Sequence, residues 1–381
     1  MTKTLNALIL GSGYAGEGHT MALQRAGVNV VAMASRTLDV CQRMAAKLNI
    51  PRAGTDWRSM IAEIKPDIVA VGTPGGTHLE MITAALEAGA NVLCDKPLAT
   101  TAQDARAIYQ LAKEKGLKTA YAASYRYQPQ TLYARELVKQ GVLGTVCEVE
   151  CVSHYKWPAL MPFGWPHRLD MGGGRLNNNF THKLAIVQNI VGGEILAAMG
   201  ECRNDLKRVP VAEKVHDFRE YMQRTLSPEA ADRGEWATVH SDWSYTVLTQ
   251  LGDRAAERSA AVTATFRHSA LRTGKNADYV AIYGEKGTLH TEGAYMQGAM
   301  FLCTDGDTWD EVAVPDAIRA ALPPEPDHSQ RNWDQLVREF VADLRGEGNA
   351  NYQTFRDGWI YQEVIDIVRA GSGWTTVAAD L

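Results

Sequence analysis

The sequence predicts an α/β protein of two domains: a parallel sheet flanked by helices, then an α+β domain with an open, mostly antiparallel sheet. Three observations lead there. Residues 1 to about 124 alternate short apolar runs with helical stretches, the pattern of a parallel sheet. The first apolar run enters a glycine-rich turn and then a helical stretch. After residue 125, strand-like runs are separated by short Gly or Asp turns that suit antiparallel hairpins. The expected division is therefore 1–124 and 125–381.

In the first domain, strands are expected at 5–10, 28–34, 68–72, 91–94 and 119–122, and helices at 17–26, 37–48, 56–63, 77–88 and 101–115. Gly27, Gly89 and Gly116 stand just past helices, where stop signals belong. In the second, a helix at 130–139 precedes strands at 145–155, 195–202, 241–250, 260–266, 279–284, 287–291 and 300–303. A buried helix is expected at 178–191, and amphipathic helices at 333–344 and 357–370. The highly charged 206–238 stretch suits a helical insertion or a mobile lid, and the proline-rich 322–328 stretch an exposed linker.

Apolar content of 45% with 22% charged residues is that of a globular chain with sizeable cores. A dispersed net charge of −5 leaves no electrostatic footprint for nucleic acid or an anionic membrane. With no leader pattern and no bilayer-length apolar run, a cytoplasmic protein is expected. Cysteines 41, 94, 147, 151, 202 and 303 lack metal-ligand spacing, so no metal is expected; Cys147 and Cys151 share strand parity and suit core packing.

Gly11-Ser12-Gly13-Tyr14-Ala15-Gly16 stands in the strand–turn–helix context of a dinucleotide fingerprint. Gly11 permits the tight turn, Gly13 a close approach of backbone to pyrophosphate, and Gly16 close packing of helix on strand. The helix N-terminus offers free N–H groups to phosphate. Cys94-Asp95-Lys96-Pro97 ends a later strand at the same sheet edge, where Lys96 could move a proton beside a nicotinamide. The second strand ends in Ser35-Arg36, with no acid before Asp39. That favours NADP over NAD, since Ser35 and Arg36 can donate to a 2′-phosphate; an Arg36 that only stacks on adenine would admit either. The cluster His154, Tyr155, Lys156, Trp157, Trp165, His167 and Arg168 reads either as a surface loop or as a wall that stacks on sugar C–H faces and binds hydroxyl or acidic groups.

Together these marks resemble the glucose-fructose oxidoreductase, inositol dehydrogenase and rhizopine catabolism (Gfo/Idh/MocA) family along nearly the whole chain. The further marks are His19, the 67–74 stretch with His78, Asp95-Lys96-Pro97, Arg126 with Pro129, Gly172-Gly173-Gly174 leading to His182, and Gly284-Glu285-Lys286-Gly287. The family usually has Glu where Asp95 stands, and Asp where Asn178 stands. Asn178 cannot titrate, but its amide can orient a hydroxyl or the lysine.

The resemblance implies a Rossmann domain and an NAD(P)-dependent oxidoreductase that interconverts a secondary alcohol and a ketone on a sugar, cyclitol or sugar derivative. Lys96, His182 and Asn178 would be catalytic, His182 as the group that titrates near neutrality. Gly11, Gly13, Tyr14, Ala15, Gly16, Ser35, Arg36, Thr73, Pro74, His78, Asp95, Lys96 and Arg126 would hold the cofactor. Tyr125, Tyr155, Lys156, Trp165, His167, Arg168, Asn178 and His182 would bind substrate. The alternative is a glycoside hydrolase or lyase that oxidises its substrate transiently with tightly bound cofactor. A homodimer or homotetramer through the second sheet is expected, because an open sheet needs cover.

Overall fold

The computed structural model describes residues 4–378 except 159, 213–214, 216, 257–259, 275 and 349–350. The first domain contains β1 (Asn6–Leu10), α1 (Tyr14–Arg25), β2 (Asn29–Ala34), α2 (Leu38–Lys47), β3 (Arg52–Gly54), α3 (Trp57–Ile64), β4 (Ile68–Val71), α4 (His78–Glu87), β5 (Asn91–Cys94), α5 (Ala102–Glu114) and β6 (Thr119–Tyr121). The strands form one parallel sheet in the order β3-β2-β1-β4-β5-β6. Every residue of β4 is buried, as expected of a strand covered by helices on both faces. The short edge strand β3 escaped the sequence reading: with one arginine and two small residues it carries no apolar pattern. The strand order reverses between β1 and β4, the place where open parallel sheets leave a ligand crevice.

The second domain follows with α6 (Pro129–Lys139), β7 (Val146–His154), α7 (Thr181–Val191), β8 (Glu194–Arg203), β9 (Arg208–Pro210), α8 (Phe218–Gln223), α9 (Pro228–Asp232), β10 (Trp236–Thr238), β11 (Ser244–Gly252), β12 (Val262–Ser269), β13 (Ala277–Gly284), β14 (Gly287–Glu292), β15 (Met300–Cys303), β16 (Asp310–Glu311), α10 (Asp316–Ala321), α11 (His328–Leu344), α12 (Phe355–Ala370) and β17 (Thr375–Thr376). Its nine-stranded sheet runs β16-β15-β14-β13-β7-β12-β11-β8-β17, antiparallel except where β7 meets β12. On its covered face, Leu184 and Ile186 of α7 share a core with Val149, Val247 and Phe266 of the sheet. Cys151 lies in that core, whereas Cys147, near the start of β7, is exposed.

Two features depart from the sequence reading. Helix α11 returns to the first domain: Trp333, Leu336, Val337, Phe340 and Val341 share a core with Ala7, Ile9, Leu23 and Val30. A division at residue 124 therefore omits a layer that completes the parallel sheet. The described residues of the 206–238 stretch form a two-stranded ribbon, β9 with β10, and two short helices. Its Val209, Val215 and Tyr221 pack with Trp157 and Trp243 in a third core cluster. Among the described residues, no helix is long and apolar enough to cross a membrane.

Candidate active site

A cavity of about 890 Å³ joins the carboxyl edge of the parallel sheet to the second domain. The glycine turn reaches it because β1 ends at Leu10 and α1 begins at Tyr14. Gly11 has φ +112, and a Cβ there would meet the Gly72 carbonyl oxygen at 2.7 Å, so only glycine suits the turn. A Cβ on Gly16 would meet the Gly11 oxygen at 2.0 Å, which is why the helix can sit this close to the strand. No side chain caps α1, leaving its first N–H groups available to an anion. These features fit a dinucleotide pyrophosphate. Ser35, Arg36, Thr37, Thr55 and Trp57 line the part of the cavity by β2 and β3, and no carboxylate does so there.

Lys96 stands where β5 delivers it, and its Nζ donates to Asn178 Oδ1 at 3.0 Å. Asn178 Nδ2 donates to the carbonyls of Gly174 at 2.8 Å and Gly172 at 3.2 Å. Those two acceptors leave the amide one orientation, with its oxygen toward the lysine. Burial pushes the Lys96 pKa below the ordinary lysine value; Asp95 opposes this and Arg175 adds to it.

His182 faces the edges of Tyr125 and Tyr295, with ring centroids 4.7 and 5.5 Å away. Burial holds its pKa well below that of a free histidine, and the Lys96, Arg175 and Lys183 charges push the same way. The buried setting and three nearby cations thus shift His182 away from the near-neutral titration expected from the sequence. Asn178 lies within a π-helical turn, Leu176–Phe180, ahead of α7, so the four-residue spacing to His182 is not that of a regular α-helix. Both side chains nonetheless line the cavity.

Most expected site residues meet there: Gly11, Gly13, Tyr14, Ala15, Ser35, Arg36, Thr73, Pro74, Asp95, Lys96, Tyr125, Tyr155, Lys156, Trp165, Arg168, Asn178 and His182. Gly16, His78, Arg126 and His167 do not line it. His78 is buried with its ring nitrogens 2.9 Å from Pro97 O and 2.8 Å from Thr73 O, so it ties the two turns together. The Arg126 guanidinium turns to Asn189 of α7, at 2.7 Å. His167 is sandwiched between Phe163 and Trp243, accepts from the Gly164 N–H, and has its pKa lowered to about 4 by burial. The structure thus turns Arg126 and His167 toward other protein groups and away from the cavity lining.

The sequence reading missed Arg175, which follows the glycine triplet directly. It lines the cavity, is 6% exposed, and has its guanidinium against the rings of Tyr155 and Trp157. It also missed Trp243, Asp278 and Tyr295, which reach the cavity from just before β11, from β13 and from the segment after β14. Arginine next to a glycine triplet was the one local signal available. Among the described residues, no cluster of His, Cys, Asp and Glu could hold a metal.

Comparison with known proteins agrees with this geometry. Residues 5–123 match the model of an oxidoreductase family with an NAD-binding Rossmann fold, and residues 131–290 match the GFO/IDH/MocA C-terminal domain. The chain is 27% identical over 204 residues to levoglucosan dehydrogenase of Pseudarthrobacter phenanthrenivorans, covering 50% of this chain and 52% of that protein. It is 35% identical over 122 residues to D-glucoside 3-dehydrogenase of Escherichia coli, covering 32% and 35%. The chain thus spans about half or less of the length of these curated relatives. A structure of levoglucosan dehydrogenase with NADH and levoglucosan superposes with a TM-score of 0.81 at 19% identity, over 99% of this chain and 100% of that one, a likeness of fold. With both domain models matched in order and the glycine turn and lysine meeting at one cavity, the chain belongs to the Gfo/Idh/MocA oxidoreductase family.

Proposed function

We propose that the protein is an NAD(P)-dependent oxidoreductase that interconverts a secondary alcohol and a ketone on a sugar, cyclitol or sugar derivative. The observation that carries this reading is Lys96 Nζ, held 3.0 Å from Asn178 Oδ1 in a cavity that also contains the glycine turn. The names of the two sugar-oxidising relatives support it. Gly11, Gly13, Tyr14, Ala15 and the N-terminus of α1 would hold the pyrophosphate of a nicotinamide dinucleotide. When bound, that cofactor supplies hydride exchange with the substrate carbon.

Lys96, with its lowered pKa, takes the hydroxyl proton in the oxidising direction and returns it to the carbonyl oxygen in the reducing direction. Asn178 holds the lysine in place without adding a negative charge. Neutral His182 can hydrogen-bond the reacting oxygen without adding a charge. Tyr155 and Trp165, which line the cavity, would supply aromatic surface for the sugar.

NADP is the preferred cofactor in this reading, supported by Ser35 and Arg36, which line the cavity after β2 and could donate to a 2′-phosphate, with no carboxylate among the described residues lining it there. The thiols of the described cysteines are free, which supports a reducing, cytoplasmic setting. Tyr283, on the inner strand β13 of the large sheet, is exposed, which supports pairing of two or four copies through that sheet.

The test is a panel of sugars and cyclitols assayed with both cofactors, for wild type and Lys96→Ala. Wild type should reduce a cofactor with at least one member. Lys96→Ala should keep cofactor affinity within a few-fold and lose about 10²–10⁴ in turnover. Undiminished turnover in the variant would take the lysine out of the mechanism.

A further inference from the structure

Arg175 is a buried cation with no anion of its own. Its Nε donates to His268 Nε2 at 3.1 Å and one Nη to the Tyr155 hydroxyl. Neither partner is a carboxylate: one is an imidazole nitrogen and the other a phenol hydroxyl. Among the described residues, no carboxylate pairs with the guanidinium, and its hydrogen bonds are the two to His268 and Tyr155.

The neighbouring acids are already committed. Asp278 takes Lys183 at 2.5 Å and the Ser153 hydroxyl at 2.9 Å. Asp242 takes the Leu176 N–H at 2.7 Å and Arg369 at 3.1 Å. Asp95 lines the cavity beside Lys96, whose pKa it raises, and stands 4.0 Å from His19. A cation taken out of water without a counter-charge is costly to the fold. It persists where a ligand completes it, and this one lines the same cavity as Lys96 and Asn178.

The surroundings select the kind of anion. The guanidinium carbon sits 4.7 Å from the Trp157 ring centroid and 5.5 Å from that of Tyr155. Aromatic rings over the face of the guanidinium leave its edge, with paired N–H groups, for a planar acceptor. A carboxylate matches that fork with two parallel hydrogen bonds. The glycine triplet ahead of it is not open to a phosphate: the N–H groups of Gly172, Gly173, Gly174, Arg175 and Leu176 all donate within the protein.

We propose that the substrate is an acidic sugar, a uronate or aldonate, whose carboxylate pairs with Arg175 while a secondary hydroxyl lies at Lys96. This inference rests on the oxidoreductase reading and deepens it. It also assigns Tyr155 a role: its hydroxyl, accepting from one Nη, orients the fork.

The test measures binding first and turnover second. The cofactor-loaded protein is titrated calorimetrically with D-glucuronate and D-galacturonate, and with the corresponding uronamides, which keep the shape and remove the charge. D-Gluconate and D-glucose 6-phosphate complete the set. At least one acid should bind about 10- to 100-fold more tightly than its amide, the span of a charge-assisted hydrogen-bonded pair. Arg175→Gln should close that gap while leaving amide binding within a few-fold. Arg175→Lys, which keeps the charge but not the fork and guards against a misfolded variant, should retain part of it.

Equal binding of acid and amide by wild type would overturn the proposal. So would failure of every acid to bind at millimolar concentration, tighter binding of glucose 6-phosphate than of any carboxylate, or a loss in Arg175→Gln that is the same for acid and amide. Acid-selective binding with no hydride transfer would leave Arg175 assigned and remove the oxidoreductase reading. Turnover of neutral sugars without acid preference would do the reverse.

Discussion

Asn178→Asp separates a positioning amide from a titrating partner. In the protein, Asn178 Oδ1 accepts from Lys96 at 3.0 Å while Nδ2 donates to Gly174 O at 2.8 Å and Gly172 O at 3.2 Å. A carboxylate placed there loses both donations, at about 1 kcal/mol each, and turns an acceptor oxygen toward two carbonyls. It also sets a full negative charge in hydrogen-bond contact with the lysine. An opposite charge at that range raises a lysine pKa by about 1 to 3. The neutral, proton-accepting fraction of Lys96 below its pKa then falls by about 10- to 1,000-fold. The assay is kcat/KM in the oxidising direction as a function of pH, followed by absorbance of the reduced cofactor. The alkaline-rising limb should move up by the same 1 to 3, with cofactor affinity unchanged and the thermal midpoint lowered by a few degrees. Asn178→Ala, which removes the contact without adding charge, should lower turnover modestly and leave the limb near its wild-type position. A profile for Asn178→Asp that superimposes on wild type would refute the coupling of this side chain to Lys96.

Arg36→Ala should weaken NADP binding by about 10- to 100-fold and leave NAD binding within a few-fold, measured by titration of each cofactor. Equal losses would make Arg36 an adenine-stacking residue, and a wild-type preference for NAD would remove the NADP reading. His182→Ala should lower kcat without deleting an ionisation near pH 6.5 from the rate profile, because the imidazole is already neutral there; disappearance of such an ionisation would contradict its depressed pKa. Acid should destabilise the fold through its buried histidines. His19, His78, His167, His182 and His268 all have folded pKa values below that of a free imidazole. Their contribution is complete above roughly pH 6.5 and is lost as pH falls toward the folded values, about 4 for His167, since the unfolded chain takes up protons first. The thermal midpoint should therefore drop between about pH 7 and pH 5; a flat midpoint over that range would contradict the burial of these rings as neutral species.

Some of this protein was legible residue by residue. The parallel sheet, the glycine turn and the Lys96 turn are local: each is set by apolar runs of strand length, by glycines where a Cβ has no room, and by stop signals a few residues away. The hairpin around Glu285-Lys286 and the long amphipathic α12 were legible for the same reason. The tertiary structure alone decided which charges meet. Lys96 and Asn178 are 82 residues apart, and Arg175 and His268 are 93 apart. No pattern in either segment shows that the first pair would be bonded or the second buried without a carboxylate. The same holds for Arg126 and His167, which sequence proximity grouped with the site and packing turned toward Asn189 and toward Phe163 and Trp243. The return of α11 to the first domain depends on an apolar face whose partner lies some 300 residues earlier, as the Arg25–Asp334 ion pair marks. Protonation states followed last, because a pKa is set by burial and by charges from several elements at once: the neutrality of His182 comes from its buried place among Lys96, Arg175 and Lys183, and only the folded chain brings the four together.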